Sequence, residues 1–352
     1  MLAASTIAIV AACQSPAATT TPTTPSATGG QPTAGSSTSP TEAPSTGLGG
    51  LFHLVGSEPV IPRTTFEDRG AVLPGAIVVD ADGTYHAWVV AFGEPAGTQE
   101  IHYLTSTDAV AWTETPDDSL AGLSEGFGNP GAFPTSVLET EDGWVMYLVG
   151  TLASEQAGWD IWRATAPAPS GPWARSDAPV LTRGGEGSWD AGGLDFPSVI
   201  PTDDGFAMFY SGIPSSETNE GAIGMATSAD GIAWTKVEAP VAEPGLCGEF
   251  DARAVLQPSV LPGPNGLYLI YAGHAGDDAS RPGVGFATST DNGATWACQW
   301  PANALNVSEF PNGDGVHTAT AFLRGERVAL LVEWLSDNGS DVWLAHLGPR
   351  QE

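Results

Sequence analysis

The chain has 352 residues, with 41 acidic side chains against 11 basic ones and a net charge of −30. A field of that sign repels nucleic-acid phosphates and anionic lipid headgroups, so neither is an expected partner, and anionic glycans are disfavoured for the same reason. No nucleotide-binding glycine loop, zinc motif or nucleophile elbow occurs in the sequence.

Residues 1–13 read MLAASTIAIVAAC. Leu2 to Ala12 is apolar or small, too short to span a bilayer, and has the character of a signal-peptide core. No Lys or Arg precedes Arg63, which a start codon placed too far downstream would explain. Val10-Ala11-Ala12-Cys13 resembles the bacterial lipobox. That resemblance implies that Cys13 receives lipid and becomes the mature N-terminus. The protein is then expected to be exported and anchored in the bacterial cell membrane, facing outward. An ordinary cleaved signal and a chance apolar start are the alternatives.

Residues 14–48 are nearly all Ser, Thr, Pro, Ala, Gly and Gln, with Glu42 the one charge. Such a stretch buries too little apolar surface to offset the entropy of ordering it, and reads as a flexible stalk. Residues 49–350 remain for one folded domain. Besides Cys13 the chain has Cys247 and Cys298, and an exported protein is expected to pair them; metal binding by the two is less favoured.

The domain repeats at a period near 60 residues. Asp82-Gly83, Asp142-Gly143, Asp204-Gly205, Asn265-Gly266 and Arg324-Gly325 place glycines at spacings of 60, 62, 61 and 59. Each dipeptide lies between runs rich in apolar, aromatic and β-branched residues, as a tight hairpin requires. A third such run follows: Ile101 to Thr105, Ile161 to Thr165, Ile223 to Thr227, Val284 to Thr288 and Val342 to His346. A turn and a tryptophan come next, at Trp112, Trp173, Trp234 and Trp296. Ser289-Thr290-Asp291-Asn292-Gly293 with Trp296 resembles the Asp box of sialidases and other propellers, which implies a structural turn and no catalytic role. Four strands per repeat, five times over, predict an all-β, five-bladed β-propeller. The fifth repeat lacks its fourth strand, and Phe52 to Ile61 is expected to complete it beside the C-terminal strands, removing the free edges.

The run from Asp195 to Trp234 (DFPSVI, then DGFAMFYSG, then IGMATSADGIAW) resembles the five-bladed glycoside hydrolases: arabinanases, β-xylosidases, levansucrases and invertases. The resemblance implies a site at the tunnel mouth, where each innermost strand begins, built on carboxylates. Glycosidic hydrolysis needs two carboxyl groups flanking the bond, one of them kept protonated. The residues at the five strand heads are Leu73-Pro74, Phe133-Pro134, Asp195-Phe196-Pro197, Leu256-Gln257-Pro258 and Val316-His317. Only the third holds a carboxylate. The first has Leu73 where the family places its base or nucleophile.

Asp195 is therefore the leading catalytic candidate, with Asp68 and Asp251 as partners and Glu67, Glu249, Asp190 and Asp314 nearby. Phe66-Glu67, Trp189-Asp190 and Phe250-Asp251 each stand eight residues before Pro74, Pro197 and Pro258, which equally suits a scaffold. Trp189, Asp190, Arg253, Gln257 and His317 are the expected substrate contacts. Trp189 and Trp159 are read as falling outside the tryptophan repeat, and Trp189 as suited to sugar stacking. The resemblance also implies a central cation, Ca2+ or another, to which His317 contributes; no other cofactor is required. Two functions lead, a surface glycosidase acting on a neutral glycan or a non-catalytic module that binds glycan or protein, and an interaction subunit of a larger envelope complex is a third. A monomer is expected for either of the first two.

Overall fold

The computed structural model describes residues 51–348, apart from residues 68, 94–97, 116–118, 129–130, 155–157, 216–217, 219, 277–281, 312, 314 and 337. Nearly all regular structure is β. After β1 (Phe52–Leu54), the chain forms β2 (Arg69–Val79), β3 (Tyr85–Gly93), β4 (Thr98–Ser106) and β5 (Thr113–Glu114). The pattern then recurs as β6 (Phe133–Thr140), β7 (Gly143–Gly150), β8 (Asp160–Ala166) and β9 (Ala174–Arg175). It recurs again as β10 (Gly193–Thr202), β11 (Gly205–Ile213), β12 (Ala222–Ser228) and β13 (Thr235–Lys236). The fourth set is β14 (Ala254–Gly263), β15 (Gly266–His274), β16 (Gly283–Ser289) and β17 (Ala297–Cys298). The last is β18 (Gly315–Arg324), β19 (Arg327–Ser336) and β20 (Gly339–Leu347).

Three of these sets are separate four-stranded antiparallel meanders. The first and last sets join in one eight-stranded sheet, but the link between β2 and β20 is a single parallel bridge, Ala71 to Ser340. β1 pairs antiparallel with β20, Phe52 opposite Leu347. The bridge Ile61 to Val342 repeats the bridges Ile161 to Leu181 and Ile223 to Ala242. The N-terminal segment thus does for the last set what a linker segment does for the second and third.

The hairpin expectation holds residue by residue. Gly83, Gly143, Gly205, Gly266 and Gly325 all have positive φ, from 62° to 134°, the region glycine enters without steric cost. Middle strands are buried on both faces, which explains their unbroken apolar runs. Met208, Phe209 and Tyr210 on β11 are all fully buried. The fourth strands are only two residues long and more exposed, which limits edge pairing.

The first strands touch in a closed ring: β2 to β6, β6 to β10, β10 to β14, β14 to β18 and β18 back to β2. Each has a register break at its head, for example between Asp195 and Ser198 and between Leu256 and Ser259. In the first four the break falls at proline, which has no N–H to give the ladder. Cys247 and Cys298 form the expected disulfide, with a Cα–Cα distance of 5.2 Å.

Candidate functional site at the strand ring

Asp195 is the third residue of β10, opposite Ser211 of β11. Its Oδ1 accepts the amide of Phe196 at 2.8 Å. The group is set deep in the molecule yet keeps some contact with solvent. Burial pushes its carboxyl up to about 7, against which the single backbone hydrogen bond does little. The Ser211 hydroxyl, itself buried, accepts the amide of Gln257 at 2.8 Å. Ser211 therefore stands between the strand that carries Asp195 and the strand that carries Gln257. The Gln257 Oε1 is buried and makes no hydrogen bond among the described residues.

Two of the strand heads are strained. Phe196 has φ 45° and Gln257 φ 54°, a region that costs a non-glycine residue about 1 kcal/mol or more. Both precede a proline and both stand at the register break, so the surrounding sheet holds them there. Phe133 and Phe196 meet edge to face, 5.3 Å between ring centroids. Leu73 and Phe133 are buried in the same apolar cluster. The ring of strand heads is thus apolar at Leu73, Phe133 and Phe196, and polar at Gln257 and His317.

The Nδ1 of His317 lies 2.8 Å from Glu333 Oε2, and Glu333 is buried at 1% exposure. Burial opposes protonation of the imidazole, but the adjoining carboxylate outweighs it and holds the group above its usual value. Among the described residues no cluster of three or more His, Cys, Asp or Glu forms a cation cage. The His317–Glu333 pair alone does not fit one, since a hard cation needs several oxygen ligands.

Several expected site residues stand elsewhere. Asp251 is fully buried; its Oδ2 takes the amide of Cys247 at 2.8 Å and the hydroxyl of Tyr271 at 2.6 Å. A carboxylate enclosed in that way ties a loop to the sheet and has no surface to offer a substrate, which corrects the expectation of a catalytic Asp251. Asp190, 3% exposed, bonds Lys236 Nζ at 2.5 Å and the Ser188 hydroxyl at 2.9 Å, so it is a buried ion pair and not a ligand contact. Glu67 and Glu249 are exposed. Asp68, Asp314 and Cys13 lie outside the described residues.

Trp189 keeps the register it shares with Phe66 and Phe250, and the series extends to five positions. Phe66, Phe127, Trp189, Phe250 and Phe310 recur at spacings of 61, 62, 61 and 60. Trp189 stacks on Tyr210, centroids 5.9 Å apart, and covers Gly212, where a Cβ would stand 2.1 Å from its ring. Phe127 covers Gly150 and Phe250 covers Gly273 in the same manner. One edge of Trp189 still borders a cleft of about 470 Å³ between the third and fourth sheets, with Arg253 and Glu220 on its rim. Arg253 Nη2 lies 4.0 Å from Glu220 Oε1.

Sequence reasoning missed Glu333, Ser211 and Glu220. Glu333 had a readable signal: an acid inside the apolar run of β19 is buried only with a partner. Ser211 and Glu220 carry none, since serines and glutamates of this kind are common on strands and loops.

A carboxyl that holds its proton near neutrality, an unsatisfied amide oxygen, an imidazole and an apolar wall form a set of partners suited to a polyol ring. Hydrolysis asks for a second carboxyl about 5–10 Å from the first. Among the described residues the strand heads supply only Asp195.

No family model matches this chain, and no curated protein matches it. Solved structures do. One is an RGII complex, 14% identical, with 84% of this chain and 91% of the other covered and a TM-score of 0.63. Another is a thermostable family-43 glycoside hydrolase, 15% identical, covering 80% and 90%, with TM-score 0.58. A third belongs to the GH130 family of mannoside phosphorylases, said to contain glycoside hydrolases that target β-1,2-mannosidic linkages in Candida mannan. It is 17% identical, covers 88% and 97%, and has TM-score 0.60. At such identities the likeness is one of fold, and the fold is that of the propeller glycoside hydrolases.

Proposed function

We propose that this chain is a carbohydrate-binding surface protein on a five-bladed propeller, taking a neutral glycan at the mouth of the strand ring. The five sets of strands are the blades, and β1 closes the last. Export and a lipid anchor on Cys13 would hold the propeller outside the cell on the Ser/Thr/Pro-rich stalk. The supporting observation is the arrangement of Asp195, Gln257 and His317 around a mouth whose other strand heads are apolar. Sugars present both hydroxyls and C–H faces, and this wall offers partners for each. The acidic surface favours a neutral ligand over an anionic one.

The test is binding of neutral oligosaccharides to the full chain by calorimetry, with Asp195→Asn beside it. Binding without turnover, weakened modestly by the substitution, supports the reading. Absence of binding to any neutral glycan overturns it.

A second reading, hydrolysis, is favoured by one observation: a carboxyl raised to about 7 can protonate a leaving oxygen near neutral pH. Asp195 would be that acid, and the base would come from Asp68 or Asp314. Turnover of a glycoside that Asp195→Asn abolishes would establish this reading in place of the first.

A further inference from the structure

We infer that the cleft between the third and fourth sheets is a second subsite, set against the strand that carries Gln257, for the inner residues of a neutral oligosaccharide whose end lies at Asp195 and Gln257. This rests on the carbohydrate reading above and specifies the direction in which the ligand leaves the mouth.

The cleft holds about 470 Å³, within the range of small-ligand sites. It shares a strand with the mouth. Arg253, on its rim, immediately precedes β14, and Gln257 is four residues further on, about 13 Å along an extended strand. The floor is Gly221, whose carbonyl accepts the amide of Val255 at 3.1 Å. A Cβ on Gly221 would stand 2.5 Å from Leu256 Cδ2. The missing side chain therefore lets the floor lie directly on the strand that carries Gln257.

The walls combine two kinds of surface. Pro214, Pro240 and the edge of Trp189 are apolar and stiff, so little conformational entropy is lost when a ligand arrives. Arg253 and Glu220 face each other at 4.0 Å with side chains 31% and 56% exposed. An ion pair so open contributes little by itself, and the exposed Glu220 carboxylate offers acceptors to neighbouring hydroxyls. Glu220, Glu243 and the net charge of −30 discourage an anion. A wholly apolar ligand would strip water from those carboxylates without replacing its hydrogen bonds. A cleft of this size is also narrow beside the area a stable protein interface covers. A saccharide chain, with C–H faces for the prolines and hydroxyls for the charges, meets each condition.

The experiment uses the full chain on an array of neutral gluco-, manno-, xylo-, arabino- and galacto-oligosaccharides, graded from monosaccharide to hexasaccharide. Calorimetry follows on the series that binds. Ala275→Trp and Ala252→Trp each fill the cleft from an exposed position, and Asp195→Asn alters the mouth. The expected result is a gain of about tenfold or more in affinity with chain length, lost in both cleft-filling variants while the shortest ligand binds as before. Equal binding of short and long chains by the unaltered protein overturns the subsite and leaves the mouth intact. So does a length gain that survives both tryptophans. If no series binds and Asp195→Asn changes nothing, the reading of the mouth fails, and the subsite with it.

Discussion

The Ser198 hydroxyl accepts the amide of Val260 at 2.9 Å, across the gap between the third and fourth sheets. Ser136 makes the same bond to Val199 and Ser259 to Ala321, at 3.0 and 2.9 Å. Each serine sits one or two residues past the proline of its own strand and accepts an amide from the first strand of the next sheet, which is an edge strand and has no ladder partner on that side. The ring is therefore fastened by hydroxyls where backbone pairing stops. Ser198→Ala removes the acceptor and leaves the Val260 amide unmatched, at a cost of about 1–2 kcal/mol. Urea unfolding should show a lower midpoint with an unchanged slope. No change in midpoint would mean the staple is dispensable.

Asp195 gives a signed pH dependence. Its folded carboxyl holds the proton to about 7, well above the ordinary carboxylate range. The stability contributed by this proton is complete below about pH 4 and is lost as the pH rises through 7. A shift of that size corresponds to about 4 kcal/mol at most, and the partial exposure of Asp195 reduces it. Asp195→Asn should flatten the thermal-stability profile between pH 4 and 7, and gain most over the parent near pH 8. A parent profile that rises over this interval, unaltered by the substitution, would contradict the assignment.

Lys236 is the only lysine in the chain, and it pairs with an aspartate, Asp190, that is 3% exposed. Lys236→Met strands that carboxylate in the protein and should cost about 3 kcal/mol, the lower end for a broken buried pair. Asp190→Asn in the same chain should restore much of the loss. A double variant no better than the single one would show that the cost lies in packing, not charge.

The disulfide closes a loop within the fourth repeat, its cysteines 51 positions apart. Replacing both Cys247 and Cys298 by alanine should cost about 2–4 kcal/mol, chiefly by freeing the unfolded chain. Scanning calorimetry would show a single transition at lower temperature. A larger loss confined to the fourth repeat, seen by hydrogen exchange, would instead assign the bond a local role.

Consecutive residues carried the architecture. Strand alternation, hairpin glycines and the 60-residue period are local patterns, so the four-stranded sets, their order and the cysteine pair were legible in the sequence. The pairing of β1 with β20 was legible too, because the segment around Ile61 resembles the linkers that close other repeats. Which acids are tied up in the interior was not. Asp190, Asp195 and Asp251 are chemically alike and lie near equivalent strand heads, yet one is tied to Lys236, one lines the mouth and one is sealed beneath Tyr271. Trp189 lies outside the tryptophan repeat and its register with Phe66 and Phe250 was legible, but that it covers Gly212 was not.

The amino-acid sequence by itself determined the repeat and hence the fold, since each hairpin is specified by residues a few positions apart. The tertiary structure alone decided where the candidate site residues stand. A side chain's exposure at the mouth, and the cleft beside Arg253, depend on how sheets some sixty residues apart in the sequence pack together, and no local pattern encodes that distance.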